Sequence, residues 1–183
     1  MEIVETEIEG AFLIKPKVFS DERGYFFESF SEKVWREKIG EVPAFVQDNE
    51  SMSSKGVLRG LHFQRPPFAQ GKLVRVIKGS VLDVIVDLRK NSPTFGKHLS
   101  VVLSGENKHQ LYLPPHFAHG FLTLEDHTVF SYKCTQFYNQ ESEEGLMWND
   151  PDLNIDWGIK NPFLSEKDKK YESFIKFASK INY

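Results

Sequence analysis

The chain of 183 residues is 40% hydrophobic and 27% charged, with a formal net charge of −3. That length is enough for one domain burying roughly 70% of its unfolded surface, so residues 1–183 are expected to form a single unit. The slightly negative balance argues against a broad basic surface for nucleic acid, and no run approaches the ~18–20 apolar residues of a membrane helix.

The single cysteine, Cys134, cannot close an intramolecular disulfide, and Met1 to Glu7 lacks the basic and apolar stretches of a signal peptide. A cytoplasmic location is therefore expected, and Asn49-Glu50-Ser51 is an accidental glycosylation sequon. Sixteen Phe, six Tyr and three Trp favour pleated, half-buried surfaces and lean the fold towards β.

In chain order, Ala11 to Phe19 reads as an early strand in which Pro16 marks an edge or a bulge. Ser20-Asp21-Glu22-Arg23-Gly24 is a turn, and Tyr25 to Phe30 a second strand. Ser31 caps a short helix with an apolar stripe of Val34, Trp35 and Ile39, ended by Gly40. Short apolar segments then recur at 44–47, 57–63, 72–78, 81–88, 98–103, 110–113, 117–124 and 128–135. Tight turns are expected at Lys78-Gly79-Ser80 and Ser104 to Asn107. Few helices interrupt these segments, so the pattern predicts an all-β antiparallel sandwich or barrel and not a βαβ fold. Gln47-Asp48-Asn49 and the turn at 21–24 read as polar binding loops. Beyond Asp150-Pro151 the chain becomes polar, with a capped helix start at Ser165 and a weak amphipathic helix over 171–183.

Leu58 to Gln64 puts a cation and an imidazole on one strand. Taken alone, His62 reads as a packed or surface histidine, and strict alternation sends Arg59 to the opposite face. The two meet in one pocket only if Gly60 marks a bulge or Arg59 reaches round from the strand edge. His62, His116 and His119 invite a metal site of the cupin type, but Gln64 stands where a second histidine of a His-x-His pair would be, and Lys72 repels a cation; no metal is expected. Arg23, Arg59 and Lys72 are residue types that bind diphosphate, although each alone reads as a surface charge. Tyr132 and Tyr138 read by default as strand-edge aromatics, and Asp168 as a solvated carboxylate near a helix start.

Asp21 to Glu28, Gln47-Asp48-Asn49, Leu58 to Gln64, Gln70 to Val74, Pro114 to Phe121 and Ser165 to Asp168 occur in the order in which the dTDP-4-dehydrorhamnose 3,5-epimerase family carries its motifs, and nearly the whole chain resembles that family. The resemblance implies an antiparallel double-stranded β-helix, or jelly roll, of cupin type with short N- and C-terminal helices. It further implies a cofactor-free enzyme that inverts C3 and C5 of a dTDP-4-keto-6-deoxy sugar. His62 would be the base, Asp168 its orienting carboxylate, Tyr132 the acid and Lys72 the stabiliser of enolate oxygen. Substrate contacts would come from Arg23, Glu28, Gln47, Asp48, Asn49, Arg59, His119, Tyr138, Glu143 and Lys167, with Glu141 and Glu144 as alternatives to Glu143. Members are homodimers whose N-terminal strands cross to the partner. Beside this stand three alternatives: an epimerase acting at C3 or C5 only, a metal-dependent cupin enzyme, and a non-catalytic sugar-nucleotide-binding cupin.

Overall fold

A computed structural model of the chain describes residues 1–181. Its strands are β1 (Glu2–Glu5), β2 (Phe12–Lys15), β3 (Val18–Asp21), β4 (Gly24–Phe27), β5 (Gln47–Ser53), β6 (Leu58–Gln64), β7 (Lys72–Lys78), β8 (Ser80–Asp87), β9 (His98–Ser104), β10 (Gln110–Leu113), β11 (Phe117–Thr123), β12 (Thr128–Cys134) and β13 (Glu143–Gly145). The helices are α1 (Glu32–Ile39) and α2 (Phe174–Ala178). Two antiparallel sheets carry the fold, one ordered β1-β2-β10-β7-β12-β5 and the other β13-β6-β11-β8-β9. The cupin-like all-β architecture expected from the strand pattern is present. Among the described residues no helix is long and apolar enough to cross a membrane.

Apolar inner faces hold the two sheets together. Val74, Val76, Leu111 and Phe130 of the first sheet pack against Val81, Ile85, Leu103, Phe117 and Phe121 of the second. Both outer faces are covered as well. Leu58, Leu61, Phe63, Val84, Val86 and Leu122 lie under Leu153, Trp157, Phe177 and Ile181 of the C-terminal segment. Trp35 of α1 packs on Ile14 and Leu73 on the far side of the first sheet. Covering both faces explains why β8 and β11 are apolar with little alternation, because a strand buried on both sides gains from every apolar residue.

Local chemistry sets the element ends. Ser31 accepts a hydrogen bond from the Val34 amide at the start of α1, and Gly40 closes the helix at φ 92°. Gly79 takes φ 77° in the β7–β8 turn, and Ser104 and Asn107 bond each other reciprocally in the β9–β10 turn. The early strand predicted across Pro16 is instead two strands in different sheets. Proline supplies no amide hydrogen to continue a ladder, so the chain leaves the first sheet after Lys15 and forms the separate β3–β4 ribbon. The strand expected at 44–47 begins only at Gln47, so Gln47-Asp48-Asn49 is the start of β5 and not a loop. The helix start at Ser165 is a single 3-10 turn, Asp168–Lys170, and the amphipathic stretch shortens to α2, with Asn182 and Tyr183 outside the described residues. β1 and β13 were not expected, since each is short and has no alternating apolar pattern.

One irregularity decides which side chains face inwards. On β6, His62 pairs with His119 and Arg59 with Phe121, so a three-residue step on β6 spans a two-residue step on β11. The extra residue is a β-bulge at Gly60, whose φ is 127° and whose peptide to Leu61 is cis. It resets the alternation. Leu58, Leu61 and Phe63 therefore face the outer core, while Arg59 and His62 share the inner face.

Gly60 has no room for a side chain, because a Cβ there would lie 2.5 Å from Gly120 Cα. Gly60→Ala is expected to cost about 2–5 kcal/mol, combining the left-handed backbone penalty with overpacking. Urea unfolding monitored by circular dichroism measures it, and a midpoint equal to that of the wild type would contradict the steric reading of the bulge.

Candidate active site

Reset alternation on β6 and regular alternation over Gln47 to Asn49, Lys72 to Val76 and Phe130 to Cys134 bring polar side chains together at one end of the space between the sheets. Lys72 pairs in register with Cys134 and Cys134 with Gln47, while Tyr132 pairs with Asn49. On the opposite sheet, Gly145, His62 and His119 form a row, with Glu143 beside Gln64. These residues surround a cavity of about 280 Å³ lined by Gln47, Asn49, His62, Gln64, Gln70, Lys72, Tyr132, Cys134, Tyr138 and Glu143.

His62 is held by a carboxylate from far along the chain. Its Nε2 lies 2.5 Å from Asp168 Oδ1. Ser165 Oγ donates to the other carboxylate oxygen at 2.8 Å and accepts from the Asp168 amide at 3.1 Å, so the 3-10 turn presents the carboxylate in one pose. Asp168 is 4% exposed. The solvated carboxylate of the default reading is thus replaced by a buried one. Burial alone would raise the Asp168 pKa, but the hydrogen bonds from His62 and Ser165 hold it below the ordinary range.

Lys72 and Tyr132 face His62 from the other sheet. The ammonium lies 5.8 Å from the Tyr132 ring centroid. Loss of water around Lys72 pulls its pKa down, against the upward pull of Cys134, Asp83 and Glu143. Burial also raises the Tyr132 phenol, with Cys134 and Glu143 adding to the rise and the Arg59 cation opposing it. Tyr132 is therefore a protonated donor at neutral pH, and Arg59 is near enough to act on it. Arg59 is tethered through Nε to Ser53 Oγ at 3.1 Å.

At the mouth, Tyr138 donates to Glu143 Oε2 at 2.7 Å, and Lys167 pairs with the same oxygen at 2.5 Å. Burial works against the Glu143 charge, yet Lys167 and Tyr138 keep its pKa low. Glu143 rather than Glu141 or Glu144 is the acid that lines the cavity; Glu144 pairs instead with Arg65 at 2.9 Å. Gln47 accepts from the Tyr138 amide at 3.0 Å and donates to Asn49 at 3.0 Å. His119 lies beneath His62, buried, with Nε2 2.9 Å from Asp83 Oδ2. Burial lowers the His119 pKa despite that carboxylate.

Three expected contacts lie elsewhere in this chain. Asp48 points to the outer face of β5, where it pairs with Lys133 at 2.9 Å, because strand alternation turns it away from Gln47 and Asn49. Arg23 and Glu28 belong to the exposed ribbon formed by β3 and β4 and its exit, with Arg23 folded onto Asp21. Among the described residues no group of three or more His, Cys, Asp or Glu side chains is placed to hold a metal ion. Gln64, at the position of the missing second histidine, has its amide engaged by Phe68 O, Phe137 O and the Asn139 amide, so it ties two loops together. Sequence reasoning did not single out Asp83 or Tyr171, nor Cys134 as a residue of the cavity wall. Asp83 carried a signal, being a charge inside the apolar run from Val81 to Leu88.

The assembly can move protons. A carboxylate-held imidazole faces a protonated phenol across a cavity, with an ammonium beside the phenol that can meet developing negative charge. Nearly the whole chain is similar to known proteins. The family model for dTDP-4-dehydrorhamnose 3,5-epimerase matches residues 5–176. The epimerase of that name from Shigella flexneri is 53% identical over 175 residues, covering 96% of this chain and 97% of its own. The crystal structure of the Elizabethkingia anophelis NUHP1 enzyme superposes with a TM-score of 0.92 at 52% identity, covering 96% of this chain and 97% of that one. A Legionella pneumophila structure, in complex with dTDP-4-keto-L-rhamnose, superposes with a TM-score of 0.91 at 47% identity, covering 99% of this chain and 94% of that one. The chain therefore belongs to the dTDP-4-dehydrorhamnose 3,5-epimerase family of isomerases.

Proposed function

We propose that this protein, acting as a single cytoplasmic domain without a cofactor, converts dTDP-4-dehydro-6-deoxy-D-glucose to dTDP-4-dehydro-L-rhamnose for dTDP-L-rhamnose synthesis. The observation that carries the reading is the His62–Asp168 pair facing Lys72 and Tyr132 across one cavity. His62 removes the weakly acidic proton beside the C4 ketone, and Asp168 orients the ring. Charge then develops on the C4 oxygen, where the Lys72 ammonium contributes roughly 3 to 4 kcal/mol of stabilisation. Tyr132 returns a proton to the opposite face, which inverts the centre; once His62 has passed its proton to water and Tyr132 has regained one from water, the sequence repeats at the second carbon beside the ketone. A non-catalytic binding protein has no use for an acid and a base on opposite walls.

The remaining contacts hold the nucleotide. Tyr138 stacks on thymine, with Glu143 and Lys167 fixing its ring, while Gln47, Asn49, Arg59 and His119 hold the sugar and diphosphate. Arg23 and Glu28 belong to a neighbouring subunit's site in a homodimer. Support comes from the ribbon itself, which pairs with neither large sheet and exposes Phe19, Tyr25 and Phe26, the last at 70%.

Turnover in deuterated water, followed by proton NMR, is expected to place deuterium at both C3 and C5; incorporation at one carbon only would assign a single-centre epimerase instead. His62→Ala is expected to lower kcat by about 10² to 10⁴. Full turnover by that variant defeats the mechanism. For the dimer, refolding an equal mixture of Arg23→Ala and His62→Ala subunits should restore up to about a quarter of wild-type activity, since half of the dimers are mixed and each carries one intact shared site. No recovery would place Arg23 in its own subunit's site. The depressed Asp168 pKa also fixes a sign. Stability from its ionised form is fully present above the unfolded value of about 4 and lost as pH falls through the lower folded value. Thermal melts should accordingly find Asp168→Asn less stable than the wild type at pH 7, with the gap narrowing towards pH 3.

A further inference from the structure

His62 is gripped by Asp168 at one nitrogen, and a single hydrogen bond leaves an imidazole free to rock about that contact. A second contact limits this motion. The Tyr171 ring meets His62 edge-on, with centroids 5.7 Å apart and planes inclined by 68°. The ring is seated over Gly145, the residue of β13 in register with His62. A Cβ on Gly145 would lie 2.5 Å from Tyr171 Cε2 and 2.6 Å from Cζ, so glycine at this position is what admits the ring.

Both flanks of Tyr171 are fastened. Before it, Asp168 is tied to Ser165 and His62. After it, Glu172 O accepts from the Met147 amide at 2.9 Å, and Asp150 accepts from the Phe174 amide at 2.8 Å. These ties fix the backbone that carries the ring. The hydroxyl, by contrast, is buried with no hydrogen-bond partner among the described residues. A buried hydroxyl without a partner carries a desolvation cost that a phenylalanine would not.

We propose that Tyr171 is a positioning residue for the base: its ring, lodged in the niche left by Gly145, walls the flank of the His62 imidazole and, with Asp168, restricts it to one orientation. The ring does this work and the hydroxyl does not. Proton abstraction is sensitive to such placement, because a displacement of about 1 Å in a reacting group can cost about 10²-fold in rate. This role rests on His62 acting as the base of the keto-sugar reaction.

Steady-state kinetics with the dTDP-4-keto-6-deoxy sugar, paired with long-range proton–nitrogen NMR of the His62 ring, tests it. Tyr171→Phe is expected to keep kcat within about twofold of wild type, whereas Tyr171→Ala lowers kcat by about tenfold or more with KM little changed. In the spectra, one set of His62 ring signals is expected for wild type and Tyr171→Phe, and a broadened or doubled set for Tyr171→Ala. If the alanine variant does not fold, Tyr171→Leu takes its place. Wild-type kcat in the alanine or leucine variant overturns the proposal. So does a loss in Tyr171→Phe as large as that in Tyr171→Ala, which would assign the function to the hydroxyl. A wild-type protein that turns over no keto sugar would sink the epimerase reading alone, since the ring signals still report whether Tyr171 orients His62.

Discussion

Side chains on a strand alternate, and when two sheets face each other that alternation alone decides what enters the space between them. In this protein the rule holds along β5 and along the stretches of β7 and β12 that carry the site, Lys72 to Val76 and Phe130 to Cys134, and is reset on β6 by one surplus residue at Gly60. Without the reset, the apolar residues of β6 could not cover the outer core while Arg59 and His62 both faced inwards. The close passage of Gly60 over Gly120 makes the reset possible, since neither strand carries a side chain where the backbones approach. Core packing and site geometry therefore depend on the same crossing.

Each carboxylate in the site meets a partner from another element. Asp168 meets His62, Asp83 meets His119, and Lys167 meets Glu143. Burying a carboxylate without a partner is costly, and each partner offsets that cost through a hydrogen bond or a charge while being oriented in turn. Lys72 differs: among the described residues it has no carboxylate within 4.0 Å, only the more distant fields of Asp83 and Glu143. An ammonium without a contact partner remains available to an anionic oxygen, as the proposed chemistry requires.

Much of this was legible from the residues. Ser31 and Gly40 marked the ends of α1, glycine and asparagine marked the turns, and short apolar segments marked most of the strands. The choice between two orientations of Arg59 could be stated but not made, because a bulge is a relation between two strands and β6 shows only its own half. Asp48 was misplaced for a related reason: once Gln47-Asp48-Asn49 is a strand, adjacent residues cannot all face one cavity. Asp168 was the hardest to read. Its burial comes from the Ser165 cap and from contact with a residue 106 positions earlier, and neither local composition nor periodicity carries that information. Tyr171 left no mark for the same reason, since its place is set by a glycine on another strand.

The two members of the His62–Asp168 pair live on parts of the molecule with different mechanical standing. His62 lies in a sheet flanked by β11 and β13 and covered on its outer face, while Asp168 rides on a polar surface strap with one 3-10 turn and a handful of hydrogen bonds. Segments of that kind open at lower free energy than the sheets they cover. Detaching the strap takes the carboxylate away from the imidazole while both sheets remain paired. On the proposed mechanism, activity therefore depends on the docking of this C-terminal segment as much as on the pairing of the two sheets.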